Sequence, residues 1–553
     1  MHFSRLHSED TSSTLALNTA LRWLQKCKKS HKSCGSGPEN PLPTRVLDLS
    51  NEQGITQADI RLVETTGEMD RYNCLSYCWG QGMTLKTTQD TIDSHKVRIS
   101  WQSLPKTFQD AIEFTRRLGI RYIWIDALCI IQHDKEDWER ESARMYDVYR
   151  KSYLTLAATS SANAEGGCFA RDPLYRSHYL SLGDDVPGFG NLWVRRALAH
   201  RGFTFEVISP GQTIDIEEVR PLMSRGWAYQ ERLLSPRVLH FTNNELVWEC
   251  MEAFSCECQP ELLDRKDGGE DFTKVSHRHC LPIELPPDQW PPKQVEWRTM
   301  RWHEVVVEYT QLGLTVPEDR LPGVAGLATQ MQTITGDAYL AGLWRSTLLL
   351  DLLWYIEAPP PSDSKFVLPG PSWSWASILA AVFYPRIDQA SEILFEAAVL
   401  EAICTPLGTT ATGIITSGKL CLRGKLIHSN SKIFHTEEEN HLEAKHFFDF
   451  QPPINSGVPE SGISDEGQQS RGYYRYNYLL LARHQADYDL TIDGEKYGPE
   501  ETESFGLLLA PITQKPDVYR RVGFFEVRVP WESDLKEVKD KFSKVDDRII
   551  TIV

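Results

Sequence analysis

Between Arg121 and Tyr149 the chain reads RYIWIDALCIIQHDKEDWERESARMYDVY, and two of its carboxylates stand where packing alone would put apolar groups. Tyr122 to Ile131 is an apolar, β-branched and aromatic run of core-strand type, broken in its middle by Asp126. The next stretch has helical spacing. Trp138, Met145, Val148 and Tyr149 fall on one stripe, and Glu141 fills the i+3 position of that stripe. Desolvating an unpaired carboxylate costs on the order of several kcal/mol, so such a group is either ion-paired or neutralised by a raised pKa. Glu141 is therefore the candidate catalytic residue. The competing reading is a structural ion pair, with Arg225 or Arg232 as the partner.

Asp126 has apolar neighbours on both alternating faces and needs a specific donor. Its place near the carboxyl end of a strand, where open α/β sheets put ligands, favours a site-lining role. Ser76, Trp79 and Gly80 end an earlier strand and open the loop after it. Gly80 suits either close backbone approach to a ligand or a simple tight turn. Arg225, Gly226 and Trp227, with Gln230, Glu231 and Arg232, form an amphipathic block whose arginines could meet a phosphate or Glu141. No GxGxxG or GxxxxGK[ST] cradle accompanies it, so a structural clamp is favoured over a pyrophosphate site. A Ser-His-Asp hydrolase is disfavoured too, since there is no GxSxG elbow.

Two groups raise a zinc question: Cys27, His31 and Cys34, and Cys250, Cys256 and Cys258 with His277, His279 and Cys280. Neither has paired CxxC spacing, and four tetrahedral ligands would have to combine segments, so the expectation is no metal.

The elements that must position these residues follow a regular order from Tyr72. Strand YNCLSYCWG is followed by helix PKTFQDAIEFTRRLG, strand YIWIDALCII, helix DWERESARMYDVYRK and strand YLTLAATS. This β-α-β-α-β order implies a parallel, doubly wound sheet with right-handed crossovers. Ser103 is the expected cap of the first helix and Gly119 its stop, and Asp137 is expected to cap the second. Ahead of them, residues 1–71 read as a lead-in with a helix over 14–27 and two short strands, RVLDLS and ADIRLVETT. Residues 72–258 form the α/β domain, with helix WAYQERLLS and a hairpin about Asn243-Asn244 at its end. A loop over 259–294, a helical segment over 295–370 and a β-rich domain over 371–553 complete the chain. In the last, PSWSWAS reads as β and 453–472 as a mobile loop.

Composition narrows the function classes. A chain of 553 residues suggests two or three domains, and 41% hydrophobic residues with 16 Trp argue for packed cores. The formal charge of -17 opposes a nucleic-acid-binding surface. The start, MHFSRLHSEDTSS, lacks the apolar core of a secretory signal, and no run approaches a membrane span, so a cytoplasmic protein is expected. Twelve irregularly spaced Cys do not form a disulfide framework.

Three blocks in fixed order carry a family resemblance: YNCLSYCWG from Tyr72, LPKTFQDAIEFTRRLGIRYIWIDALCIIQHDKEDWERESARMYDVY from Leu104, and SRGWAYQERLLSPRVLHF from Ser224. Together they resemble the fungal heterokaryon incompatibility (HET) domain over about 72 to 240. The resemblance implies a role in fungal self/non-self recognition and regulated cell death, and a fold remotely similar to Toll/interleukin-1 receptor (TIR) domains. LSYCWG and LCIIQHD resemble the first and second TIR strand boxes. Some TIR domains cleave NAD with a Glu on a helix that also carries a Trp. The nearest equivalents here are Glu141 and Trp138, although the TIR arrangement of Trp, Cys and Glu is not reproduced. The implied fold is a TIR-like α/β parallel sheet with flanking helices. NAD is the implied substrate, no cofactor is required, Asp126 would orient a ribose or bond a neighbouring turn, and self-association through the domain answers an unidentified protein trigger. The alternatives are a non-enzymatic module acting by homotypic contacts and a regulatory protein unrelated to cell death.

Overall fold

The computed structural model describes residues 8, 10–35, 37, 39–50, 57–82, 85–171, 180–181, 193–194, 203, 220–258, 273–279, 292–360, 368–385, 393–408, 411–428, 443–450, 476–486, 490–492, 495–497, 501–512, 515–529 and 544–553. It divides into two compact units, Met1–Leu281 and Pro282–Val553.

The first unit is built on an eight-stranded sheet. Helix α1 (Thr14–Ser30) precedes strands β1 (Arg45–Asp48) and β2 (Arg61–Glu64). Then come β3 (Tyr72–Ser76), α2 (Lys106–Arg117), β4 (Tyr122–Trp124), the short α3 (Asp126–Cys129), α4 (Lys135–Arg150) and β5 (Leu154–Ala157). Helix α5 (Gly226–Leu234) leads into β6 (Arg237–Phe241), β7 (Leu246–Cys250) and β8 (Phe254–Cys256). The spatial order is β8-β7-β6-β5-β3-β4-β1-β2.

The four central strands, β6, β5, β3 and β4, are parallel, while β7 and β8 on one side and β1 and β2 on the other are antiparallel. The sheet is thus mixed, where the alternation of elements implied a parallel one. Two segments make it so: residues 1–71, read as a separate lead-in, supply two antiparallel strands on one side, and the hairpin at the end of the α/β domain supplies the antiparallel side opposite. Every residue of β3, β5, β6 and β7 is buried, as expected for strands covered on both faces. Numbered in chain order, the parallel strands lie 2-1-3-4. The chain leaves β3 for β4 on one side and returns to β5 on the other, which makes the carboxyl end of β3 a topological switch point.

Three local expectations change. The apolar run Tyr122 to Ile131 is a strand only to Trp124, because Asp126 accepts the Ala127 N–H at 2.7 Å and opens a helical turn. Asp126 therefore sits past the strand end and not in its middle. Asp134 caps α4, accepting the Asp137 N–H at 2.9 Å, after His133 turns the chain with φ 67°. Asp137 is buried instead and receives Arg45 at 2.5 Å and the Ile131 N–H at 2.8 Å. Ser103 does not cap α2. It closes on the Ser100 carbonyl in a 3₁₀ turn, and Gly119 ends the helix at φ 72°.

Residues 259–294 are not all loop: Thr273–His279 is a helix, α6. Its Lys274 is buried and donates to the carbonyls of Arg232 and Ser235 at the end of α5, a cation placed at the negative end of a helix dipole.

In the second unit, helices Pro292–Thr310 and Pro322–Thr335 are followed by a β-rich region. Strands Asn477–Ala486, Glu501–Pro511, Val518–Val529, Asp547–Ile552 and Ile415–His428 pair in sequence and the last pairs back to the first, so that these five close into a ring. PSWSWAS is not a strand. Trp375–Ser377 is a 3₁₀ turn with Trp373 and Trp375 buried, and the Trp375 indole donates to the Gly342 carbonyl at 2.9 Å. Gly342 has φ 98°, and a Cβ there would lie 2.6 Å from that indole. The stretch 453–472 lies outside the described residues.

Candidate functional site

The carboxyl end of β3 is polar although everything around it is core. Ser76, the last residue of β3, is buried, and its hydroxyl donates to Glu231 of α5 at 2.5 Å. One residue on, Tyr77 is buried and bonds the carboxylate of Asp126, and the Trp79 indole N–H donates to that same carboxylate at 2.7 Å. Arg225, just before α5, donates to the Tyr77 carbonyl at 2.5 Å. Two carboxylates from different elements thus meet around one strand end.

The charge of Asp126 acts on Glu231. Burial pushes Glu231 up to about 7, and the neighbouring Asp126 charge pushes the same way, while the Ser76 hydroxyl, Arg225 and the Tyr149 hydroxyl pull against it. Asp126 is also raised, first by burial, against the donors Trp79, Tyr77 and the Ala127 N–H. Among the described residues, neither carboxylate has a guanidinium in bidentate contact. Hydroxyls and an indole N–H stabilise an anion less than an ion pair does, which leaves a proton exchangeable near neutral pH. Both carboxyls are thus held above their usual range at one strand end.

The residues singled out in the sequence divide. Ser76, Trp79, Asp126 and Arg225 come together here. Gly80 has φ 72° and faces Asn163, whose Cβ would be 2.3 Å from an added methyl, so its need for glycine comes from the loop after β5. Trp227 is half-buried in the first turn of α5. Glu141 is buried on α4, and its ion-pair partners are Arg140 at 3.5 Å and Arg144 at 3.4 Å on its own helix, not Arg225 or Arg232. Arg232 instead clamps Glu249 of β7, at 2.6 and 2.7 Å. The residue the sequence reading did not single out is Glu231. Its signal was the same as that of Glu141, a carboxylate three positions after Ala228 and three before Leu234 on an apolar helix stripe.

The cysteines regroup as well. Cys250 joins Cys27, His31 and Cys34, and Cys256 and Cys258 lie with Glu245.

Residues 72–231 match a family model described as "Heterokaryon incompatibility protein (HET)". The chain carries a HET domain. The match runs from the first residue of β3 to Glu231 and so spans Ser76, Trp79, Asp126, Glu141 and Arg225. Strands β1, β2, β6, β7 and β8 of the same sheet lie outside it. Comparison with curated proteins and with solved structures found no match. Among the described residues no helix is long and apolar enough to cross a membrane. A HET domain ties the chain to heterokaryon incompatibility.

Proposed function

We infer that the HET domain is a TIR-like effector of fungal self/non-self recognition and regulated cell death that cleaves NAD, with its reacting centre at the carboxyl end of β3. The single observation that carries this reading is that Asp126 and Glu231 both bond residues at the carboxyl end of β3, the switch point of the sheet. The choice of NAD rests on the resemblance of LSYCWG and LCIIQHD to TIR strand boxes.

Breaking the nicotinamide–ribose bond sends its electron pair to nicotinamide and leaves an oxocarbenium-like ribose, so the reaction needs an anion beside the anomeric carbon and a base for water. Nicotinamide leaves as a neutral group and needs no acid. Asp126, held by indole and phenol donors and only partly covered, suits the anion. Glu231, whose carboxyl is pushed up to about 7, suits the proton acceptor when water adds to the ribose carbon. Glu141 is less suited, because Arg140 and Arg144 offset its charge.

A second reading has its own support: the carboxylates at this strand end receive donors from the chain itself, as a rigid module acting through homotypic contacts would have them. NAD consumption by purified protein, free and in forced assemblies, separates the two. Activity lost in Asp126→Asn and Glu231→Gln and kept in Glu141→Gln supports cleavage at β3. Activity lost only in Glu141→Gln returns the role to α4, and no NAD loss in assemblies leaves the non-enzymatic module. Self-association and a cytoplasmic setting belong to both readings.

A further inference from the structure

Four side chains from two distant segments converge beside α1. Cys27 lies in the last turn of that helix, and His31 follows it, its backbone N–H closing on the Cys27 carbonyl. The turn after it is closed by the Gly35 N–H on the Lys32 carbonyl, with Gly35 at φ 65°, and returns Cys34 to the same place. Cys250, the last residue of β7, arrives from 219 positions away from His31, and its sulfur lies 3.2 Å from His31 Nδ1. The Ser33 N–H donates to Glu252 at 2.5 Å and ties the two turns together. The four candidate ligand atoms all lie within 4.8 Å of one another. A zinc ion with three sulfurs at about 2.3 Å and one nitrogen at about 2.0 Å in a tetrahedron needs ligand separations of about 3.5 to 3.8 Å. Small side-chain adjustments reach that geometry.

We propose that Cys27, His31, Cys34 and Cys250 hold one zinc ion in a closed structural site that staples α1 to the end of β7. Three sulfurs and an imidazole select a soft, tetrahedral ion, and four protein ligands leave no open position for a substrate. Arg237 supplies an independent argument. Its guanidinium is buried, its Nε points at the Cys27 sulfur at 3.3 Å, and its other donors go to the carbonyls of Cys34, Gly35 and Tyr153. A neutral thiol is a weak acceptor for a buried cation. Zinc bound by three thiolates and a neutral imidazole carries a net negative charge, which is what Arg237 faces. The same contact orients a ligand from outside the coordination sphere, as outer partners of metal sites do. The binding free energy is released only when segments far apart in sequence have met, so the ion stabilises the fold of the first unit.

The test uses the full chain purified without chelator, with zinc measured by elemental analysis. About one zinc per chain is expected. Cys250→Ser should lose it, and Cys256→Ser and Cys421→Ser should keep it. Should Cys250→Ser fail to fold, titrating metal-stripped wild type with cobalt(II) reads the site directly, through the tetrahedral d–d bands and thiolate charge transfer of a site with three sulfur ligands and one nitrogen. Zinc absent from wild type together with no such bands, zinc retained in folded Cys250→Ser, or a disulfide between two of Cys27, Cys34 and Cys250 in freshly purified protein would each overturn the proposal.

Discussion

Glu231 and Glu249 are both buried carboxylates of the first unit, and they behave in opposite ways. Glu249 is held in bidentate contact by Arg232 and bonded by His240 Nε2 at 2.9 Å. A carboxylate can only accept, so His240 carries its proton on Nε2, and Nδ1 accepts from the Thr159 hydroxyl at 2.9 Å. Burial works against the Glu249 anion, but Arg232 and His240 overcome it and hold the carboxyl well below its usual range. Glu231 meets Ser76 and Tyr149 hydroxyls, with Arg225 acting only at longer range, and burial wins. Where the chain places a guanidinium, the buried carboxylate is a fixed structural charge. Where it places hydroxyls and keeps the guanidinium at longer range, burial holds the carboxyl up, which marks a candidate site for chemistry.

The contrast can be broken from its structural side with the largest effect. Arg232→Met leaves Glu249 charged and buried without its main partner, and urea unfolding should show a loss of about 3–5 kcal/mol. On the other side, Glu231→Gln should remove a pH dependence. The folded-state carboxyl titrates at about 7 against its ordinary 4.5, so the folded chain binds the proton more tightly than the unfolded one. The penalty for ionising it is absent below 4.5, grows as pH rises through this window and is complete above about 7. The variant should therefore match wild type at about pH 4 and exceed it by up to about 3 kcal/mol at about pH 8, read from thermal or denaturant melts. A wild-type curve that rises across this window in step with the variant would contradict the assignment.

Smaller changes sharpen the comparison. Trp79→Phe deletes the indole donor to Asp126 and should cost about 1–3 kcal/mol while raising the Asp126 pKa further, which carboxyl titration by NMR would follow. Glu141→Gln should change stability by less than about 1 kcal/mol in the same melts, because Arg140 and Arg144 are half-exposed and screened by water. A Glu141 effect as large as that of Arg232→Met would mean that α4, not α5, holds the critical buried charge.

Much of this was legible in the sequence. The order of types from Tyr72 to Ala157 follows from apolar periodicity, and Asp126 stood out because a carboxylate in an apolar run needs donors. The same rule picked Glu141, and applied to GWAYQERLL it also marks Glu231. What periodicity could not supply was the partner. Arg232 and Glu231 are adjacent in sequence, yet one turns to β7 and the other to β3, and only the crossing of α5 over the sheet sends them apart.

The chain by itself determined the strand and helix order of the α/β core from Tyr72, because side-chain period and turn residues act over a few residues, but not the turn made by PSWSWAS or the helix Thr273–His279. It also determined that carboxylates, thiols and indoles would have to be buried, since they lie on apolar stripes. The tertiary structure alone decided who meets whom: Asp126 with Trp79, Glu231 with Ser76, and Cys250 with the Cys27, His31 and Cys34 turn. Such pairings join residues as distant as His31 and Cys250, 219 positions apart, where burial and electrostatics depend on neighbours that no local pattern names.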